Sequence, residues 1–250
     1  MSRTETGQAI SIRSCASHDE LKLCVDLQRR IWNFAEEDVV PSAIFVVAQH
    51  TGGHAYCAFD REKAVGFALA FSAEHDGRRL WHSHMVGVLP EYQNRGVGRM
   101  LKSHQREEAL RAGVPTIEWT FDPLELRNAY FNIARLGAIV RHYIPDCYGS
   151  STSPLHGGLP TDRLVAEWHV GSDRVRDILA GASRSPRTSG LEIPVSARIR
   201  EWRDSGDVRA QEMQSELRNK FTDLFSRGYA VTGFRRGTEH GDYILERYED

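Results

Sequence analysis

The chain has 250 residues, with 32 basic against 34 acidic side chains and a formal net charge of −2. Without a basic surplus, a protein that holds nucleic acid by neutralising phosphates is not expected. With 40% hydrophobic and 26% charged residues, the chain is globular and long enough for one large core or two small ones, which excludes a collagen, a disulfide mini-protein and a long disordered tail.

Segment 1–8 is polar and does not read as a secretory leader. The most apolar run, 41–48, is too short for a membrane span, which needs about 18 residues. Cys15, Cys24, Cys57 and Cys147 make no CxxC pair, so neither a zinc site nor a disulfide framework is suggested. They read as small buried hydrophobes in a cytoplasmic protein.

A short strand is predicted at 10–15. Ser17 then caps a helix from about His18, with Glu20 in the capping-box position and Leu21, Val25, Ile31 and Trp32 at helical spacing. Pro41 at a first helical position opens a second helix through Gln49, closed by Gly52-Gly53. Apolar segments 54–59 and 64–72 form a hairpin around Asp60-Arg61-Glu62-Lys63, and another strand covers 80–89. A polar, Gly-containing loop at 90–98 leads into a helix to about Arg111, which stops at Gly113. A strand at 116–121, a helix at 124–136 stopped by Gly137, and strands at 139–144 and 164–170 follow, the last two separated by a long loop at 145–160.

The Gly/Ser-rich stretch 181–190 is the sharpest shift in composition. Beyond it come a helical segment at 196–203 and an amphipathic helix at 207–227 with Met213, Leu217, Phe221 and Leu224 on one face, then strands at 229–235 and 243–248. The order is that of an α/β fold with a mixed sheet. The expected division is a first domain at 1–175, a linker at 176–190 and a small α/β extension at 191–250 that packs on the first domain.

The strongest signal is Val88-Leu89-Pro90-Glu91-Tyr92-Gln93-Asn94-Arg95-Gly96-Val97-Gly98-Arg99-Met100. A strand enters a loop that becomes a helix at its glycines, and the first N–H groups of a helix have no intrahelical partner. With the helix dipole they form an anion site suited to a pyrophosphate. Glycines at 96 and 98 keep Cβ atoms out of its way, and Arg95 and Arg99 add local charge. It is neither a Walker loop, which would continue Lys-Ser/Thr, nor a Rossmann triple-glycine turn.

Here the sequence resembles the GNAT superfamily of acyl-CoA-dependent N-acyltransferases, whose motif Gln/Arg-x-x-Gly-x-Gly/Ala stands as Gln93-Asn94-Arg95-Gly96-Val97-Gly98. The resemblance covers about residues 10–170. The run SHMVGVLPEYQNRGVGR, with Pro160-Thr161-Asp162-Arg163 and the C-terminal extension, looks like a bacterial branch of that superfamily, some relatives of which acylate or succinylate amino acids. The resemblance implies a GNAT-like fold and an acyl-CoA co-substrate, acetyl-CoA or succinyl-CoA, without a metal. It also implies a small-molecule amine as acceptor, with no nucleic acid or membrane involved and a homodimer left open. Arg127-Asn128-Ala129 and Arg135-Leu136-Gly137 match its Asn-containing helix, so Asn128, with Asn132 one turn on, inherits a contact to the pantetheine arm. The backbone of Val86, Gly87 and Val88 falls where the superfamily faces the thioester carbonyl.

His82 and His84 precede those positions and, by strict alternation, would share their face with Val86 and Val88. The His-x-His spacing resembles the arylalkylamine acyltransferases of the superfamily, in which such histidines help remove the amine proton; packing, or a metal pair, is the alternative. Glu118, on the face of Thr116 and Thr120, is a second candidate base. The superfamily's tyrosine acid would fall at position 133, which is Ile133 here. Tyr130 is then the candidate acid, with Tyr143 and Tyr148 as alternatives, and Arg141, His142, Thr161, Asp162 and Arg163 border the acceptor side by analogy. The rival readings are a non-catalytic acyl-CoA-binding or regulatory module and a protein-lysine acetyltransferase.

Overall fold

A computed structural model of the chain describes residues 10–75, 77–149, 157–182 and 190–248. The polar segment 1–8 lies outside them, as do 150–156 and 183–189 within the two predicted connections. The chain falls into two compact units, Met1–Val114 and Pro115–Asp250.

In the first unit, β1 (Ser11–Ser14), β2 (His54–Asp60), β3 (Lys63–His75) and β4 (Arg78–Val88) pair antiparallel in chain order. Helix α1 (His18–Trp32) begins where expected: Ser17 Oγ accepts from the Glu20 N–H at 3.3 Å. The Glu20 carboxylate accepts from the Ala16 N–H at 2.7 Å. Helix α2 (Ser42–His50) starts one residue later than predicted, with Pro41 as its N-cap. Together with α3 (Val97–Arg111), these helices bury β2 on both faces: His54 to Phe59 are all buried despite their alternating directions. Apolar Cys57, Val65, Phe67 and Leu69 fill the centre at 0% exposure, which explains why β2 and the first half of β3 read as unbroken apolar runs. β3 runs three residues beyond its predicted end because Ala73, Glu74 and His75 pair with Leu80, Arg79 and Arg78.

The second unit contains β5 (Thr116–Phe121), α4 (Leu126–Ala129) continuing as a π-helical turn (Tyr130–Arg135), β6 (Ile139–Ile144) and β7 (Arg163–His169). After these come α5 (Asp173–Leu179), β8 (Leu191–Ser196), α6 (Ile199–Asp204), α7 (Val208–Ser226), β9 (Tyr229–Arg236) and β10 (His240–Arg247). Its strand order is β5-β7-β6-β9-β10-β8. Helix α5 and strand β8 depart from the sequence reading. Ser172 caps α5 through its side chain, accepting from the Val175 N–H at 3.3 Å, a signal as plain as that at Ser17. β8 contains Pro194, which argues against a strand except at a sheet edge, and β8 is an edge strand with Ile193 and Val195 turned inward. Ser196 therefore ends a strand rather than starting a helix.

Polar side chains anchor the C-terminal elements. Arg218 on α7 donates to both oxygens of Asp162 at 2.7 and 2.9 Å, and Tyr143 OH and the Asp146 N–H add bonds of 2.5 and 2.9 Å. On the same helix Gln214 takes the buried position and donates to the Pro160 carbonyl at 2.9 Å, while Met213 is only half-buried. Arg203 on α6 reaches Glu125 at 2.6 Å and Asp122 at 3.3 Å, and Tyr243 OH donates to the Pro123 carbonyl at 2.8 Å.

Candidate functional site

The loop after β4 turns into α3 through a 3-10 turn and two left-handed residues. After Val88, the Leu89 N–H donates to the Val65 carbonyl at 2.9 Å, so the strand continues into a single 3-10 turn at Pro90–Tyr92. Tyr92 is buried and its hydroxyl donates to Asp60 at 2.8 Å, while Gln93 Nε2 donates back to the Val88 carbonyl at 3.0 Å. Both bonds fasten the loop to the strand it leaves. Asn94 (φ +60°) and Gly96 (φ +85°) turn the chain through the left-handed region, and Gly96 is the N-cap of α3. No side chain caps this helix and no acidic residue lies in its first turn. Arg95 is exposed and stacks on the Tyr92 ring with its guanidinium 4.8 Å from the centroid. Asn94 and Gly96 are exposed beside it, Gly98 and Arg99 are half-buried, and Val97 at 1% exposure seats the helix start in the core. The result is a positively polarised N-terminus with two arginines beside it.

The histidines show one departure from alternation. Ala70 pairs with Ser83 and Leu69 with Met85, which leaves His84 as the extra residue of a β-bulge. The bulge reverses the parity of the strand. Val88 and Gly66 face Leu101 of α3, whereas a Cβ at Gly87 would meet Ile31 and Trp32 of α1 at 2.9 and 3.0 Å. Val86 and Val88 are therefore on the α3 side with Ser83. His84 packs on Phe71 with centroids 5.6 Å apart, and His82 pairs with Phe71 across the ladder. The two imidazoles, 6.2 Å apart, share the face of Gly87 rather than that of the valines. Burial lowers the pKa of both from the ordinary histidine value, with neighbouring His84 and Lys102 adding to the effect on His82, so both rings are neutral near pH 7.

On the α3 side is a polar chain that sequence reading did not find. Lys102, 3% exposed, donates to Ser83 Oγ at 2.9 Å; Ser83 donates to Gln105 Oε1 at 3.2 Å; Gln105 Nε2 and His54 Nε2 are 2.7 Å apart. Burial pushes the Lys102 ammonium well below the usual lysine range and His54 down to about 3. The available signal was the i, i+3 spacing of Lys102 and Gln105 on the buried stripe of α3.

In the second unit, Glu118 lies between Thr116 and Thr120 on the half-exposed face of β5, with Ile117, Trp119 and Phe121 buried opposite. Its ladder partner is Glu167, whose buried carboxylate is held by Arg141 at 2.6 Å and approached by His142 and His169 at 3.8 Å each. Arg141 is the extra residue of a bulge between Val140 and His142. On the α4 segment Asn128 is exposed, Asn132 is buried at 5%, and Ile133 is buried at 0%. The π-turn, the form that often marks functional sites, shows as a Leu136 N–H donating five residues back to Phe131. Tyr130 is half-buried, with Arg236 5.3 Å over its ring. Tyr143 is committed to Asp162, and burial together with that bond pushes its hydroxyl far above the ordinary tyrosine value. Tyr148 is exposed and bonds Thr120 Oγ1 through its hydroxyl at 2.8 Å. Thr161 and Asp162 are wholly buried and Arg163 nearly so.

A cavity of about 400 Å³ lies between α1 and residues 36–42; none of the predicted site residues lines it, and its Arg29 is paired with Glu36 and Asp26. Among the described residues no group of three His, Cys, Asp or Glu is placed to hold a metal, and no helix is long and apolar enough to cross a membrane.

Residues 21–131 match the model of the Acetyltransferase (GNAT) family. Solved structures with this fold include yncA from Salmonella typhimurium with its cofactor acetyl-CoA, 20% identical over 66% of this chain and 96% of that one, TM-score 0.53. The ribosomal-protein-S18-alanine N-acetyltransferase from Escherichia coli is 16% identical over 72% and 98%, TM-score 0.52. Aminoglycoside 6'-acetyltransferase type Ii is 20% identical over 66% and 99%, TM-score 0.51. No curated protein matches in sequence. Residues 21–131 thus carry the match to the Acetyltransferase (GNAT) family, and the fold is the one these solved structures share.

Proposed function

We propose that the protein is an acyl-CoA-dependent N-acyltransferase that transfers an acetyl or succinyl group to the amino group of a small molecule, with amino acids the first acceptors to try. The observation that carries the reading is the Gly96-initiated, side-chain-uncapped start of α3 with Arg95 and Arg99 beside it. Backbone N–H groups at 96–99 would hold the pyrophosphate of the acyl-CoA, and the first arc of the loop, Gln93 to Arg95, would shape its approach. The backbone of Val86, Gly87 and Val88 would face the thioester carbonyl and stabilise the charge that develops on its oxygen. Asn128 and Asn132 would contact the pantetheine arm.

The amine must attack as the neutral species. Neutral His82 and His84 suit the removal of its proton, directly or through water, and Glu118 is the second candidate. As the C–N bond forms and the C–S bond breaks, the thiolate takes up a proton, for which Tyr130 is the candidate donor. In this reading residues 1–175 are the acyl-CoA-binding catalytic domain, 176–190 the linker and 191–250 the extension, and the acceptor is a small molecule rather than a protein lysine.

Ile133, apolar and buried where the superfamily's tyrosine is expected, favours a second reading, a non-catalytic acyl-CoA-binding module. Free thiol release from acetyl-CoA and succinyl-CoA, followed with a panel of amines including L- and D-amino acids, separates the two. Turnover above the hydrolysis background with at least one amine is the expected result; binding of the thioester without turnover on any amine supports the module.

A further inference from the structure

Three of the four cysteines meet inside the first unit, and the proposed transfer uses none of them. Cys15 follows β1 at 4% exposure, Cys24 lies on the buried face of α1, and Cys57 is in the middle of β2. The sulfurs of Cys15 and Cys24 are 3.6 Å apart, and Cys57, wholly buried, lies in the same core cluster. A disulfide needs about 2.05 Å between sulfurs, so the gap must close by only about 1.5 Å.

Access comes from the edge of the sheet. β1 has four residues, pairs only with β2, and has three of its positions exposed. Short edge strands are among the first elements to open locally, and opening β1 uncovers Cys15. Hydrogen bonding with Cys24 holds the Cys15 thiol below the ordinary cysteine value, which favours its reactive thiolate form once it is uncovered.

We propose that Cys15 and Cys24 are a dithiol–disulfide pair, oxidised by a small-molecule disulfide such as oxidised glutathione. The Cys15 thiolate attacks one sulfur of glutathione disulfide, giving a mixed disulfide and one glutathione thiolate. Cys24 gives up its proton and attacks the Cys15 sulfur, the Cys15–Cys24 bond forms, and the second glutathione leaves. The two cysteines lose two electrons, which reduce glutathione disulfide to two glutathiones. The bond ties the edge strand to the first turns of α1.

The test uses the full chain, reduced, freed of reductant and incubated folded with oxidised glutathione, then quenched in acid, unfolded, alkylated and mapped by mass spectrometry. Two of the four cysteines are expected to escape alkylation, linked as the Cys15 and Cys24 peptides, and dithiothreitol returns all four. Cys57→Ala should keep the link, and Cys24→Ser should stop at a glutathione on Cys15. Full alkylation of all four cysteines after native incubation would overturn the proposal. So would a link through Cys57 or Cys147, or a Cys24→Ser protein with no adduct on Cys15. The wild-type result stands even where a variant folds poorly, and none of these readouts depends on acyl transfer.

Discussion

At the scale of single residues, Gly96 gives the sharpest prediction. An added Cβ there would meet nothing within 4 Å, so any effect of Gly96→Ala comes from the left-handed backbone alone. That conformation costs an L side chain about 1–2 kcal/mol. In the free Gly96→Ala chain the turn relaxes, and restoring it around the ligand should weaken acetyl-CoA binding by roughly that amount, about tenfold, as read by calorimetry; unchanged affinity would mean that this turn does not hold the ligand. The histidines make a second case. Burial lowers both below the ordinary value of about 6.5, so kcat/KM should fall on the acid side only below that pH as the rings take up protons. His82→Ala combined with His84→Ala should lower the rate and remove that acid limb. A variant with the wild-type pH profile would take the proton relay away from the pair.

At the scale of elements, the C-terminal helix depends on one buried carboxylate. Burial alone would raise the Asp162 pKa, but bonds from Arg218, Tyr143 and the Asp146 N–H outweigh it and bring the group below the ordinary aspartate value. The sign follows from linkage: its stabilisation is complete above the unfolded value of about 3.9 and is lost as pH falls through the lower folded one. Arg218→Ala leaves a buried acceptor short of its donors, which costs about 1–3 kcal/mol. Urea unfolding at pH 7 should show that loss, and the gap from wild type should narrow as pH drops below about 3.9. A pH-independent gap would place the effect in packing instead. Elements also show how bulges redirect chemistry: at His84 and Arg141 one extra residue turns a side chain to a face that a two-residue period does not predict.

For the whole molecule, the reading requires that an acyl-CoA ester binds the folded chain and not the unfolded one. At a hundredfold excess over Kd this adds about 2.7 kcal/mol and raises the melting temperature. A thermal melt with saturating acetyl-CoA and succinyl-CoA checks it, and no shift with either would remove both the enzyme and the binding-module readings. The net charge of −2 is no obstacle to that reading, because a helix terminus and two arginines would act on an anion locally, whatever the global balance.

Most helix starts were legible in the sequence, because an N-cap is a short-range device: Ser17 bonds three residues ahead, and Gly96 marks its turn by lacking a Cβ. The β2–β3 hairpin and the anion loop follow equally from local chemistry. Other features depend on pairing. β8 exists because Pro194 falls on an edge, where its missing N–H interrupts no ladder, and the sequence does not say which strands are edges. The facing of His82 and His84 depends on a bulge that only the register with β3 reveals. The Lys102–Ser83–Gln105–His54 chain and the cysteine cluster join side chains from separate elements, so no spacing along the chain announces them. The sequence determined what the backbone does within a few residues, including the uncapped, glycine-initiated start of α3; tertiary structure decided which distant groups meet, because burial and register are properties of the packed chain.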